Sequence, residues 1–81
     1  MKVTYIFYHL EKRHVISQSE SSEDNLNFKE NDVVFVSGEY YKIRRVERII
    51  VPEYDIINYA IMVSDGHGDI DVVIMDRVKH Y

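Results

Sequence analysis

The residues best suited to chemistry lie in one stretch, Ser64 to Val73, which reads SDGHGDIDVV. It sets Asp65, His67, Asp69 and Asp71 at every second position around two glycines. Oxygen ligands at positions 1, 3, 5 and 7 are the pattern of a calcium loop, and Asp76 falls at position 12. The other requirements of that loop are missing. Position 6, where glycine makes the sharp turn, is Ile70, and the terminal carboxylate is an aspartate rather than a glutamate. On an extended strand Asp69 and Asp71 also stand about 6.6 Å apart, so sharing a cation would require the chain to curl around it. A closed zinc site asks for four ligands, often thiolates, and the chain has no cysteine. The stretch reads as the corner of a hairpin, with Gly66 in a two-residue turn centred on Gly66-His67 or Asp65-Gly66. No metal site and no cofactor are expected.

Catalytic arrangements fare no better. His9, His14, His67 and His80 are scattered, and Ser17, Ser19, Ser21 and Ser22 have no base at a recognisable spacing. His9 and His14 flank a turn and are expected to face each other across it. There is no phosphate-cradling glycine loop. The expectation is a non-catalytic protein.

Two surfaces could bind instead. In YYKIRRVERI, Tyr40, Lys42 and Arg44 share one side of a strand, and Arg48 is expected to rejoin them beyond a bulge; with Arg45 they make a basic tyrosine stripe. Aromatic and basic side chains on a strand can hold single-stranded nucleic acid by stacking and phosphate contact. The bland alternative is pairing with some of the fourteen acids, and a formal charge of −4 favours it over a general polyanion binder. The second surface is the outer face of the last hairpin, where an apolar row with few polar interruptions includes Ala60, Met62, Val73 and Met75, beside Asp69 and Asp71. Large exposed apolar patches mark interaction sites, so this face is the expected place for a protein partner or a second copy.

The elements that must position these surfaces are strands. Valine, isoleucine, tyrosine and phenylalanine dominate the apolar residues, while leucine appears twice and alanine once. Val3 to Leu10 is apolar on both sides, LEKRH is a charged turn, and VISQS is a returning strand. ESSEDN is a polar acidic loop. Asn31-Asp32 is a turn, Val33 to Ser37 a short strand, and Ser37-Gly38 a second turn. A long strand runs from Tyr40 to about Val51. Its apolar phase slips between Ile43 and Val46, the signature of a β-bulge, and Pro52 ends it. Ile57, Tyr59, Ile61 and Val63 alternate cleanly, as do Ile70, Val72 and Ile74, which are expected to pair back on them.

The run from Phe28 to Val46, F-x-x-N-D-x-V-x-V-x-G-x-x-Y-x-I-x-x-V, resembles an SH3-like small barrel over about a quarter of the chain. The resemblance implies a fold: a turn, a short strand, a tight glycine hairpin and a bent strand. It implies no activity.

Eighty-one residues make one domain, 1–81, expected to be an all-β small barrel of five to six short antiparallel strands with a bulged central strand. Such a chain buries only roughly 60–65% of its extended surface, so association with another copy would add stability. No stretch approaches the apolar length of a membrane span, and a cytoplasmic setting is expected. The resulting reading is a non-catalytic binding protein acting through protein contacts, homo-oligomeric, of a regulatory or phage-type accessory kind. The runner-up is a nucleic-acid or nucleotide binder using the basic stripe.

Overall fold

A computed structural model describes residues 1–24 and 27–66, together with the backbone of Lys79 and His80. The described chain is all-β. Its strands are β1 (Lys2–His9), β2 (His14–Ser21), β3 (Val33–Val36), β4 (Glu39–Val51), β5 (Ile56–Asp65) and β6 (Lys79–His80). They form one curled, half-barrel sheet in the order β2-β1-β5-β4-β3-β6. No helix among the described residues is long and apolar enough to cross a membrane.

Local pairings follow the sequence closely. β1 and β2 are joined by the four residues Leu10 to Arg13, with Arg13 in the left-handed region (φ 55°) and its N–H bonded to the His9 carbonyl at 2.8 Å. His9 then pairs with His14. β3 and β4 are joined by Ser37-Gly38, both at positive φ (51° and 83°), the backbone of a type I′ hairpin turn. Before β3, Asn31 takes φ 73°, its N–H bonds to the Ile43 carbonyl, and the Asp32 carboxylate caps the Lys29 N–H. The Asn31-Asp32 turn thus locks β3 onto β4.

The β4 register shifts between Ile43 and Arg45, where the phase slip falls, leaving Arg44 unpaired with β5. Pro52–Tyr54 then turns as a short 3-10 segment, closed by Asp55 in the left-handed region.

One expectation fails at the level of topology. β5 runs parallel to β1, with Tyr5 beside Tyr59 and Phe7 beside Ile61, and β6 runs parallel to β3. The sheet is therefore mixed rather than antiparallel throughout. β5 also has β1 on one edge and β4 on the other along nearly its whole length. Ile70, Val72 and Ile74, expected to pair back on β5, lie outside the described residues.

Gly66 likewise differs from expectation. Its φ is not positive, as a primed turn would need, and its N–H bonds to the Tyr40 carbonyl at 3.1 Å. A Cβ there would lie 3.0 Å from the Tyr41 carbonyl carbon and 3.2 Å from the Lys42 nitrogen. Glycine is needed here because two backbones meet, not because a hairpin turns.

The inner face of the sheet carries the core. Val3, Phe7, Val34, Val36, Tyr41, Ile43, Ile57, Tyr59, Ile61 and Val63 are buried in one cluster. Phe28, from the loop between β2 and β3, sets its ring edge-on against Phe7 at 5.6 Å. Burying a large aliphatic or aromatic side chain is worth about 1.5–3 kcal/mol, so this cluster is the main source of stability.

Candidate interaction surface

The outer face is built from alternate residues of the three central strands. Reading across β1, β5 and β4, the rows are Lys2–Ile56–Val51, Thr4–Asn58–Ile49, Ile6–Ala60–Glu47 and Tyr8–Met62–Arg45. Ile6, Tyr8, Val51, Ile56, Ala60 and Met62 are half-buried, and Ile49 is 47% exposed. Two of the expected partner-binding residues, Ala60 and Met62, therefore lie at the middle of an apolar band. Among the described residues their neighbours come from β1 and β4. The other four expected residues, Asp69, Asp71, Val73 and Met75, lie outside the described residues, as do His67 and Asp76.

The basic stripe is divided by the bulge. Tyr40 and Lys42 are on the outer face, since Lys42 pairs with Ser64 there. The Arg44 Nε–H donates to Ser64 Oγ at 2.8 Å, so Arg44 leans the same way although it is unpaired in the ladder. Arg45 resumes the outer face opposite Met62 and forms an ion pair with Glu47 at 2.5 Å. Such an exposed pair is worth at most about 1 kcal/mol. Arg48 does not rejoin the stripe. One extra residue reverses the alternation, which puts Val46, Arg48 and Ile50 on the inner face, with Arg48 opposite Tyr59.

There Arg48 enters a different cluster. Its Nε–H donates to the Tyr59 hydroxyl oxygen at 3.0 Å, and its Nη2 donates to Asp24 Oδ2 at 2.7 Å. The Tyr59 hydroxyl donates to Asp24 Oδ1. Tyr5 stacks on Tyr59 at 5.5 Å between ring centres, and its hydroxyl donates to the Glu23 carbonyl at 3.0 Å. The Tyr59 hydroxyl, and then the Arg48 guanidinium, hold the Asp24 carboxyl below its ordinary range. Tyr59 is pushed up, first by burial and then by its bond to Asp24. Asp24, Tyr5 and Tyr59 were not legible as a site, because Asp24 sits in an acidic loop and the tyrosines in strand alternation. The signal available was that the bulge must aim Arg48 inward beside Tyr59.

The other polar cluster surrounds His9, which is 1% exposed. Its Nδ1 accepts the Lys12 N–H at 3.1 Å, so Nε2 carries the proton and donates to Asp65 Oδ1 at 2.9 Å. The Glu11 carboxylate is 3.5 Å from Nδ1. That nitrogen's lone pair is already engaged by the Lys12 amide, so the contact with Glu11 is not a hydrogen bond. His14 stacks on His9 with ring centres 6.1 Å apart, as the turn predicts, and Tyr41 meets it edge-on. Burial, followed by the charges of Glu39 and Asp65, raises the Tyr41 phenol above its ordinary value. With both nitrogens occupied, this imidazole positions the ends of β1 and β5. Among the described residues no group of three or more histidine or carboxylate side chains is placed to hold a metal ion.

No family model matches the chain, and no curated protein or solved structure matches it.

Proposed function

We propose that this is a non-catalytic interaction protein whose contact surface is the outer face of β1, β5 and β4, and whose first partner is a second copy of the chain. The observation carrying this reading is the apolar band of Ile6, Tyr8, Ile49, Val51, Ile56, Ala60 and Met62. It lies on the side of the sheet opposite the core and is rimmed by Lys2, Glu47 and Arg45. An apolar centre with a charged rim is the usual anatomy of a protein contact. A domain of this size also gains from burying such a face. The expected residues Asp69, Asp71, Val73 and Met75 remain part of the proposal, as does a cytoplasmic, regulatory or accessory role. So does the SH3-like barrel, which the Ser37-Gly38 hairpin, the bent β4 and the curl of the sheet support. That assignment has to accommodate the parallel β1–β5 pair.

The test is amide chemical-shift mapping over a concentration series. Shifts confined to Ile6, Tyr8, Ile49, Val51, Ile56, Ala60 and Met62, with Asp69, Asp71, Val73 and Met75, and little changed by salt support the reading. Shifts elsewhere, or none, reject it. The second reading, nucleic-acid binding through Tyr40, Lys42, Arg44 and Arg45, rests on their common outer placement. It predicts binding of a single-stranded oligonucleotide that weakens steeply with salt and is abolished by Arg44→Glu with Arg45→Glu.

A further inference from the structure

We propose that Arg48 and Tyr59 form a carboxylate-binding site, closed by the chain's own Asp24, whose exchangeable ligand is a carboxylate of an acidic peptide. The proposal concerns the inner face and does not rest on the outer-face contact proposed above.

The site and its occupant belong to different parts of the fold. Arg48 and Tyr59 are cross-strand neighbours on β4 and β5, and Tyr59 is only 6% exposed. The stacked Tyr5 ring on β1 braces Tyr59. These donors are thus set by the sheet ladder. Asp24 instead lies beyond the end of β2, in an acidic segment whose neighbours Ser22 and Glu23 are exposed. Its contacts with the sheet, and those of Glu23 beside it, are side-chain bonds. Among the described residues they are Arg48 and Tyr59 to Asp24, Tyr5 to the Glu23 carbonyl, and the Glu23 N–H to Ser21 Oγ. All can be released without breaking a strand pairing.

The arrangement is specific for a carboxylate. One Asp24 oxygen takes the Arg48 Nη2 donor and the other takes the Tyr59 hydroxyl, while the Arg48 Nε–H fixes that hydroxyl in turn. Two donors addressing two oxygens of one planar group is the geometry by which arginine-containing sites select carboxylates. The Arg48 side chain is 44% exposed, so the site can be approached from solvent. When the loop lifts, Arg48 loses the carboxylate it holds, and an external one can take the same two donors. The tethered Asp24 competes at an effective concentration in the millimolar range, which makes the loop a gate.

The test uses the full chain carrying Asp24→Asn. The probe is an acetylated peptide with the sequence of Glu20–Asp24, ESSED, followed by the Arg48 Nε–H and Tyr59 amide signals. The proposal expects saturable shifts with a millimolar dissociation constant, as suits a few charge-assisted bonds. It expects binding to the wild-type chain to be weaker by about twofold, the factor set by an effective concentration and a dissociation constant that are both millimolar, and none when Arg48→Gln is added. Equal binding by wild type and Asp24→Asn would overturn it. So would retained binding in the Arg48→Gln variant, or equal binding of a peptide ending in asparagine. Saturation by inorganic phosphate without saturation by the peptide would overturn the choice of ligand. Loss of amide dispersion in Asp24→Asn would also count against the proposal, because a tie the fold cannot release is not a gate.

Discussion

His9 shows how much a single polar side chain decides at the end of this sheet. Its ring is buried, yet both nitrogens are bonded, one to the turn after β1 and one to the last residue of β5. Replacing it with alanine removes packing against Tyr41 and leaves two groups to find water. The expected cost is about 2–3 kcal/mol, read as a lower urea midpoint with an unchanged slope. Acid stability belongs to Asp24. Its folded value lies below the ordinary 3.8, so its contribution is present above that value and is lost as pH falls through the folded one. Below pH 3.8 the wild-type chain should therefore lose stability more steeply than Asp24→Asn, in urea titrations across that range. Tyr41 and Tyr59 work in the opposite direction. Both are raised above 10.0, so their share is present below that pH and is lost as pH rises through the folded values. The share of the phenolate absorbance that Tyr41→Phe or Tyr59→Phe removes should accordingly rise late and together with unfolding.

The strands divide into those a local pattern reveals and those it cannot. The β1–β2 turn, the Asn31-Asp32 and Ser37-Gly38 turns, the bulge of β4 and the stop at Pro52 all follow from residues within a few positions of one another. Pairing of β5 with β1 joins segments more than fifty residues apart in sequence, and nothing local encodes it. Among the described residues β1 and β4 flank β5 along nearly its whole length. A bias toward local pairing misread Gly66 as a turn glycine. Its role at a close crossing of backbones leads to a distinct outcome for Gly66→Ala. Contact with the backbone of Tyr41 and Lys42 should force β4 and β5 apart, at a cost of about 1–3 kcal/mol. Amide exchange should quicken at Tyr41, Lys42 and Ser64 rather than along β1. Among the described residues β3 covers only Glu39–Lys42 of β4, so the edge from Arg44 to Val51 has no strand beside it. Its bulge, its arginines and Pro52 are features that discourage edge-to-edge pairing. Association is therefore better served by the face of the sheet than by this edge.

At the scale of the molecule, the strand class and the division of faces were legible, and so was the placement of Ala60 and Met62 on the face opposite the core. The neighbours that complete their surface, Ile6, Tyr8 and Ile49, depend on the crossover and emerge only from the fold. A single curled sheet has one face for its core and one left over. Among the described residues the face opposite the core is apolar apart from Thr4 and Asn58, and charged at its rim. The central claim is that this face meets another copy. The direct measurement is the mass of the native particle by sedimentation equilibrium over a wide concentration range, for the wild-type chain and for Met62→Asp. The account predicts twice the chain mass for the wild type and the single-chain mass for Met62→Asp, with both retaining a β-sheet circular dichroism spectrum. A wild-type particle of single-chain mass at every concentration, or a Met62→Asp particle as heavy as the wild type, would contradict it.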